Sequence, residues 1–244
     1  MESRGNSVGH KGRSEDHELD QIAAEIDKLA IAGNGKGGRL VELADETGSR
    51  IVRVKDGAVV ATDAESPALS PEGIGFAYIR EMKGRGTLFI FDKQRGAHSV
   101  TDSSYDVRQV AFLDEGMLVF AARHQKRLSL FVITKDGSIS PFLDIQANVG
   151  AFSVSPDGSR IAFTESVKHR WQLGVFDRVN HSVIQITDFD CNAYESSWTS
   201  ASEIVVASDC TRGLGLTALV KIELPKHRIN GIENSNALLA MRPN

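Results

Sequence analysis

SPDGSRIAF, residues 155–163, joins a reverse turn to a strand. Pro156 presets φ at the first central position of the turn, and Asp157 and Gly158 complete the reversal. Proline cannot sit in a central strand, so it marks the boundary before Ile161-Ala162-Phe163. The same turn stands at 70–73 as SPEG, 85 residues earlier, followed by Phe76-Ala77-Tyr78. Half that separation, near residue 113, brings up Leu113-Asp114-Glu115-Gly116 and the strand Leu118-Val119-Phe120. One period beyond Ser155 stands Trp198-Thr199-Ser200-Ala201, followed by Ile204-Val205-Val206.

The residues around each turn keep the register. A second strand-like run follows at Thr87–Asp92, Leu128–Ile133, Trp171–Asp177 and Leu214–Ile222. A short closing run comes next, at Ala97–Thr101, Ile139–Leu143 and Val183–Thr187. Four short strands in a repeat of roughly 40–45 residues predict a propeller blade, which buries its faces only by stacking on its neighbours. The SPDG turn, a strand ending in Asp and a closing Thr-Asp, repeated in register, resemble the TolB-like, or WD40-like (PD40), β-propeller repeat of bacteria. The resemblance covers about residues 38–224. It implies a binding module of periplasmic or membrane-associated systems, or a gating domain attached to a peptidase.

The expected fold is therefore all-β: four-stranded antiparallel blades, about four to five in number, preceded by one short amphipathic helix. Full blades are expected at 66–101, 107–143 and 150–187. A partial blade at 38–62 has three strands and no innermost one, and a last blade at 191–224 lacks its fourth strand. A strand from Ala237–Met241 in the tail, 225–244, would help close a ring of about five. The alternative is an open fragment of a longer propeller whose edges invite self-association.

Residues 1–37 read differently. The first fourteen are polar and suit disorder. From Ser14 to Ala32, apolar residues recur at helical spacing (Leu19, Ile22, Ala23, Ile26, Leu29, Ala30), with Gly33 as the stop. Gly33–Gly38 matches G-x-G-x-x-G formally, but it follows a helical pattern and enters strands. That inverts the context of a phosphate cradle, and a flexible linker is the better reading.

A net charge of −4 argues against a nucleic-acid partner. No apolar run is long enough for a membrane-spanning helix, and the first twenty residues lack the apolar core of a signal peptide. There is no H-x-x-x-H pair among seven histidines and no calcium-loop spacing. Nothing points to a catalytic group, a metal or a cofactor. Asp92, Asp102, Asp177 and Asp188 recur at repeat positions, as residues of structural turns do.

Two cysteines carry an inference of their own. A hairpin centred between Ser200 and Ala201 would set Trp198 opposite Glu203 and Ser197 opposite Ile204. Continued outward, it sets Cys191 opposite Cys210. Directly opposed residues lie ~4.5–5.5 Å apart at Cα, within disulfide range. Two readings stand: two small buried thiols, or a disulfide, whose closure would stabilise by about 3 kcal/mol. A disulfide would favour a periplasmic or extracytoplasmic compartment, as does the resemblance.

Propellers bind at the channel mouth, through the loops that enter each innermost strand. Those loops offer Asp63, Glu65, Tyr105, Asp106, Arg108, Asn148, Asp190, Asn192 and Tyr194. The expected function is non-catalytic binding of a protein or peptide there. The alternatives are a lyase or hydrolase built on the channel, and a gating or structural fragment of a larger protein.

Overall fold

The computed structural model describes residues 28–33, 38–143, 148–187, 190–210 and 215–224. They form five antiparallel sheets, each a simple meander. The first holds β1 (Lys28–Gly33), β2 (Arg39–Asp45), β3 (Gly48–Arg53) and β4 (Ala58–Thr62). The second holds β5 (Glu65–Leu69), β6 (Phe76–Met82), β7 (Arg85–Asp92) and β8 (Gly96–Ser99). The third holds β9 (Asp106–Asp114), β10 (Met117–His124), β11 (Arg127–Ile133) and β12 (Ile139–Pro141). The fourth holds β13 (Val149–Val154), β14 (Arg160–Val167), β15 (Arg170–Asp177) and β16 (Ser182–Gln185). The fifth has three strands among the described residues, β17 (Ala193–Ser200), β18 (Glu203–Ser208) and β19 (Ala218–Glu223). The leading strands β1, β5, β9, β13 and β17 pack in series, as the innermost strands of successive blades do.

The second strand of a blade reads as an unbroken apolar run because both of its faces are covered. In β10, Leu118, Phe120 and Ala122 belong to the cluster shared with the second sheet, while Val119 and Ala121 belong to the cluster shared with the fourth. In β6, Phe76 and Tyr78 face the first sheet, and Ala77 and Ile79 face the third. Four such clusters fill the four gaps between five sheets. Among the described residues no comparable cluster joins the fifth sheet to the first.

The SPDG turns have the geometry their residues require. Gly73 and Gly158 sit at φ +69° and +68°, and each N–H donates to the carbonyl of the turn's serine at 2.8 Å. The serines are buried: Ser70 Oγ accepts from Ile74 and Gly75, and Ser155 Oγ from Arg160. At the end of a blade, Thr101 Oγ1 accepts from Leu88 N–H and Thr187 Oγ1 from Leu173 N–H. Asp92, Asp102 and Asp177 each accept backbone N–H groups two or three residues on, as structural turns require.

Two expectations are corrected. The helix predicted to run to Ala32 is replaced over its last turn by β1, which pairs with β2 from Lys28 opposite Ala44 to Gly33 opposite Arg39. Leu29-Ala30-Ile31-Ala32 is an unbroken apolar run that either period accommodates, and the free edge of β2 supplies backbone partners. The rest of the predicted helix, 14–27, lies outside the described residues, as does the tail strand Ala237–Met241. With β1 in place the first sheet has four strands, not the three expected. The glycine-rich stretch after Gly33 therefore connects two paired strands.

Candidate functional site

One hydrogen bond recurs from blade to blade on the face where each innermost strand begins. Asp106 Oδ1 accepts from Gly86 N–H at 3.0 Å, Asn148 Oδ1 from Leu128 N–H at 3.1 Å, and Asn192 Oδ1 from Trp171 N–H at 3.1 Å. In each case the donor opens the third strand of one blade and the acceptor precedes or opens the first strand of the next. A variant of the staple joins the first two sheets, where the buried carboxylate of Glu42 accepts from Ser66 N–H at 2.7 Å. Asp106, Asn148 and Asn192 thus hold neighbouring blades together.

Tyr105 is also turned into the protein. Its ring packs edge-on to Phe120 and Phe131 and stacks on His124, with centroids 5.9, 5.1 and 4.7 Å apart. Tyr194 donates its hydroxyl to Asp209 Oδ2 at 3.1 Å. Asp63 and Asp190 are exposed on their loops, and Glu65 opens β5. Arg108 is exposed, and its guanidinium is held by Asp106 at 2.5 Å.

Of the residues expected at the mouth, Arg108 lines a cavity of about 430 Å³ between the innermost strands. Its walls include Ser66 of β5, Gln109 of β9, Ala151 and Phe152 of β13, and Glu195 of β17. Gln109 is fixed there by two bonds to the next blade: Nε2 donates to Phe152 O at 2.7 Å, and Oε1 accepts from Phe152 N–H at 3.1 Å. Sequence reading missed Gln109 and Glu195. Their signal was their position two or three residues into an innermost strand, past the loops that drew attention.

Cys191 and Cys210 are joined as a disulfide, with Cα atoms 5.0 Å apart. The register that reached this pairing is itself corrected. Trp198 lies opposite Ile204 and Ser197 opposite Val205, one residue off the expected pairs, and a bulge between Ala193 and Ser196 restores Ala193 opposite Ser208. The sulfurs are bonded to each other, so their grouping with Asp209 offers no thiolate to a metal.

Asp209 is the knot beside the disulfide. Its carboxylate accepts from Asn192 N–H at 2.7 Å, Asn192 Nδ2 at 3.0 Å, Tyr194 Oη at 3.1 Å and Gly215 N–H at 3.2 Å. These donors, the Asn192 backbone N–H foremost, hold its pKa well below the usual carboxylate range. A depressed folded pKa contributes stability that is present above the ordinary value and lost as pH falls towards the folded one. Asp209→Asn is therefore expected to be less stable than the native chain at neutral pH, with the difference shrinking below about pH 4, near the ordinary Asp pKa. Denaturant titrations at pH 7 and pH 3 check this; a difference independent of pH would refute it.

The comparisons with known proteins agree with this architecture. No curated protein sequence matches the chain. TolB from Acinetobacter baumannii superposes with a TM-score of 0.64 at 17% identity, over 81% of this chain and 52% of that one. A putative TolB from Agrobacterium tumefaciens gives 0.63 at 15% identity, over 80% and 76%. A puromycin-hydrolyzing peptidase of Mycobacterium tuberculosis gives 0.66 at 15% identity, over 87% of this chain but 38% of the enzyme. The chain thus spans about half the length of the Acinetobacter TolB and less of the peptidase. At these identities the likeness is one of fold. No helix of the described residues is long and apolar enough to cross a membrane. Over residues 38–223, from the start of β2 to the end of β19, the sequence matches the β-propeller domain of lipoprotein LpqB, and the chain belongs to that family.

Proposed function

We propose that this propeller is a non-catalytic binding module that takes a segment of a protein or peptide partner at its channel mouth. The observation that carries the reading is the cavity between the innermost strands. It combines one exposed cation, Arg108, one exposed carboxylate, Glu195, and the fixed amide of Gln109 with the small side chain of Ala151 and the backbone of Phe152. A concavity that presents both charges and placed polar groups between small residues suits recognition of a peptide segment. A channel-based lyase or hydrolase would need convergent histidines or carboxylates. Among the described residues the lining holds no histidine and Glu195 as its carboxylate. Periplasmic or extracytoplasmic residence fits the disulfide.

The test is a peptide-library selection against the whole chain, counter-selected on Ala151→Trp, which fills the cavity. Selected peptides are expected to lose about tenfold or more in affinity on Arg108→Ala, the usual cost of an interface anchor. The melting temperature should stay unchanged, because the Arg108 side chain is exposed. A selection from which no peptide survives the counter-selection, or surviving peptides that keep full affinity for Arg108→Ala, would overturn the reading.

A further inference from the structure

The hairpins between second and third strands carry a feature that local folding does not ask for. In the second, third and fourth sheets these are two-residue turns with both central residues at positive φ: Lys83-Gly84 (+54°, +77°), Gln125-Lys126 (+50°, +71°) and Lys168-His169 (+48°, +63°). Such turns prefer Asn-Gly or Asp-Gly. Here three successive blades put a lysine at one or other of the two central positions, and the first sheet has Glu46-Thr47 at its own hairpin.

The three lysines share the face of the channel mouth. Arg85 Nη1 donates to Ser103 O at 2.8 Å, and His124 Nδ1 lies 3.2 Å from Ser104 O, so the hairpins of the second and third sheets meet the loop entering β9. The recurring staples at Asp106, Asn148 and Asn192 join the hairpin end of each blade to the entry of the next innermost strand. Lys83, Lys126 and Lys168 are exposed, and none forms an ion pair among the described residues. Exposed Arg123 and half-buried Arg170 flank them, and Glu81 offsets one charge.

Two apolar side chains stand on the same face. Met82, beside Lys83, is 47% exposed, and Leu216, in the β18–β19 connection, is 63% exposed. The exposed carboxylates Asp63, Asp102, Asp190 and Glu195 lie in or just past the loops leading to innermost strands, nearer the axis, and Glu46 stands at the hairpin of the first sheet, so the cationic apices are those of the second, third and fourth sheets. The lysines stand farther out, at hairpin apices.

We propose that this face docks on an anionic phospholipid surface, with Lys83, Lys126 and Lys168 as the contacting cations and Met82 and Leu216 as shallow apolar contacts. The cations are single point charges on three separate blades, and the cavity of this face lies at the axis, away from them. A fixed acidic ligand would have to match that spacing, whereas laterally mobile lipid anions match any spacing. Cations interleaved with apolar side chains suit the boundary between headgroups and acyl chains. The partner cavity opens on the same side, so a segment captured there would be one presented near the lipid.

The experiment is sedimentation of the whole chain with vesicles of phosphatidylcholine alone or with one third phosphatidylglycerol, at low and high salt. Binding is expected to the mixed vesicles only, and to fall steeply as salt shortens the screening length. Each Lys→Gln change should weaken it about fivefold, the scale of one basic residue near an anionic bilayer. Lys83→Gln/Lys126→Gln/Lys168→Gln should abolish it with the thermal melt intact. Arg108→Ala, the probe of the peptide cavity, should bind vesicles as the native chain does, so the two proposals fail separately. Equal binding to both vesicle types, no binding, or a triple variant that binds like the native chain would overturn the proposal. So would binding to soluble polyglutamate without binding to vesicles, which would assign the face to an acidic macromolecule instead.

Discussion

Gly86→Ala is expected to lower the melting temperature by about 5–15 °C, although it adds a single methyl group to an exposed hairpin's root. Gly86 lies near the start of β7, where the blade meets the next innermost strand. A Cβ there would stand 2.0 Å from the carbonyl oxygen of Val107 and 3.1 Å from its carbon. Both are backbone atoms of β9, so no side chain can swing aside. The two sheets must separate locally, which also stretches the bond from Gly86 N–H to Asp106 and loosens the cluster around Leu88, Val107 and Phe120. Overpacking of this kind typically costs about 1–3 kcal/mol, and loss of the staple adds about 1 kcal/mol. At ~2–4 °C per kcal/mol for a chain of this size, the shift is readily seen by calorimetry. A melt within about 2 °C of the native chain, equivalent to about half a kcal/mol, would show that the blades slide past each other without cost.

Gly158→Val should be at least as damaging, for two reasons that add. The residue sits at φ +68°, where a β-branched side chain is strained by about 1–3 kcal/mol. Its Cβ would also stand 2.5 Å from Leu113 O, again backbone of the neighbouring blade. Gly158→Ala separates the contributions, since it keeps the contact and reduces the torsional strain. We expect the order of stability native, alanine, valine. If valine matches the native chain in denaturant titration, the turn is not held as described.

The repeat was legible because turn chemistry leaves few choices. Pro, Asp and Gly in sequence before an apolar strand recur at the spacing that brings equivalent residues into contact. Gln109 meets Phe152, Ser153 meets Ser196 and Trp198 Nε1 meets Ser153 O across blade boundaries. β1 was hidden because its apolar run satisfies a helix as well as a strand, and the deciding factor, the edge of β2, is remote in the chain. Asp106, Asn148 and Asn192 drew attention as polar residues at the mouth. Their recurrence at each blade entry was the better signal, because whatever each blade needs must appear in each blade. Arg108, Gln109 and Glu195 have no such counterpart in every repeat, and they are the ones that line the cavity. The cysteine pairing survived a register error because the bulge near Ala193 absorbs the missing residue.

Among the described residues each sheet packs on its neighbours in the chain, as dominoes in a row do. Opening starts at an end and travels inward, so backbone amides of β10 should exchange with solvent last. The two ends are not equivalent. The Cys191–Cys210 bond clamps the strand pair β17–β18 where it meets the fourth sheet, while the first sheet has no covalent tie among the described residues. Of the two end sheets the first is therefore the one expected to exchange its backbone amides sooner, and the fifth later.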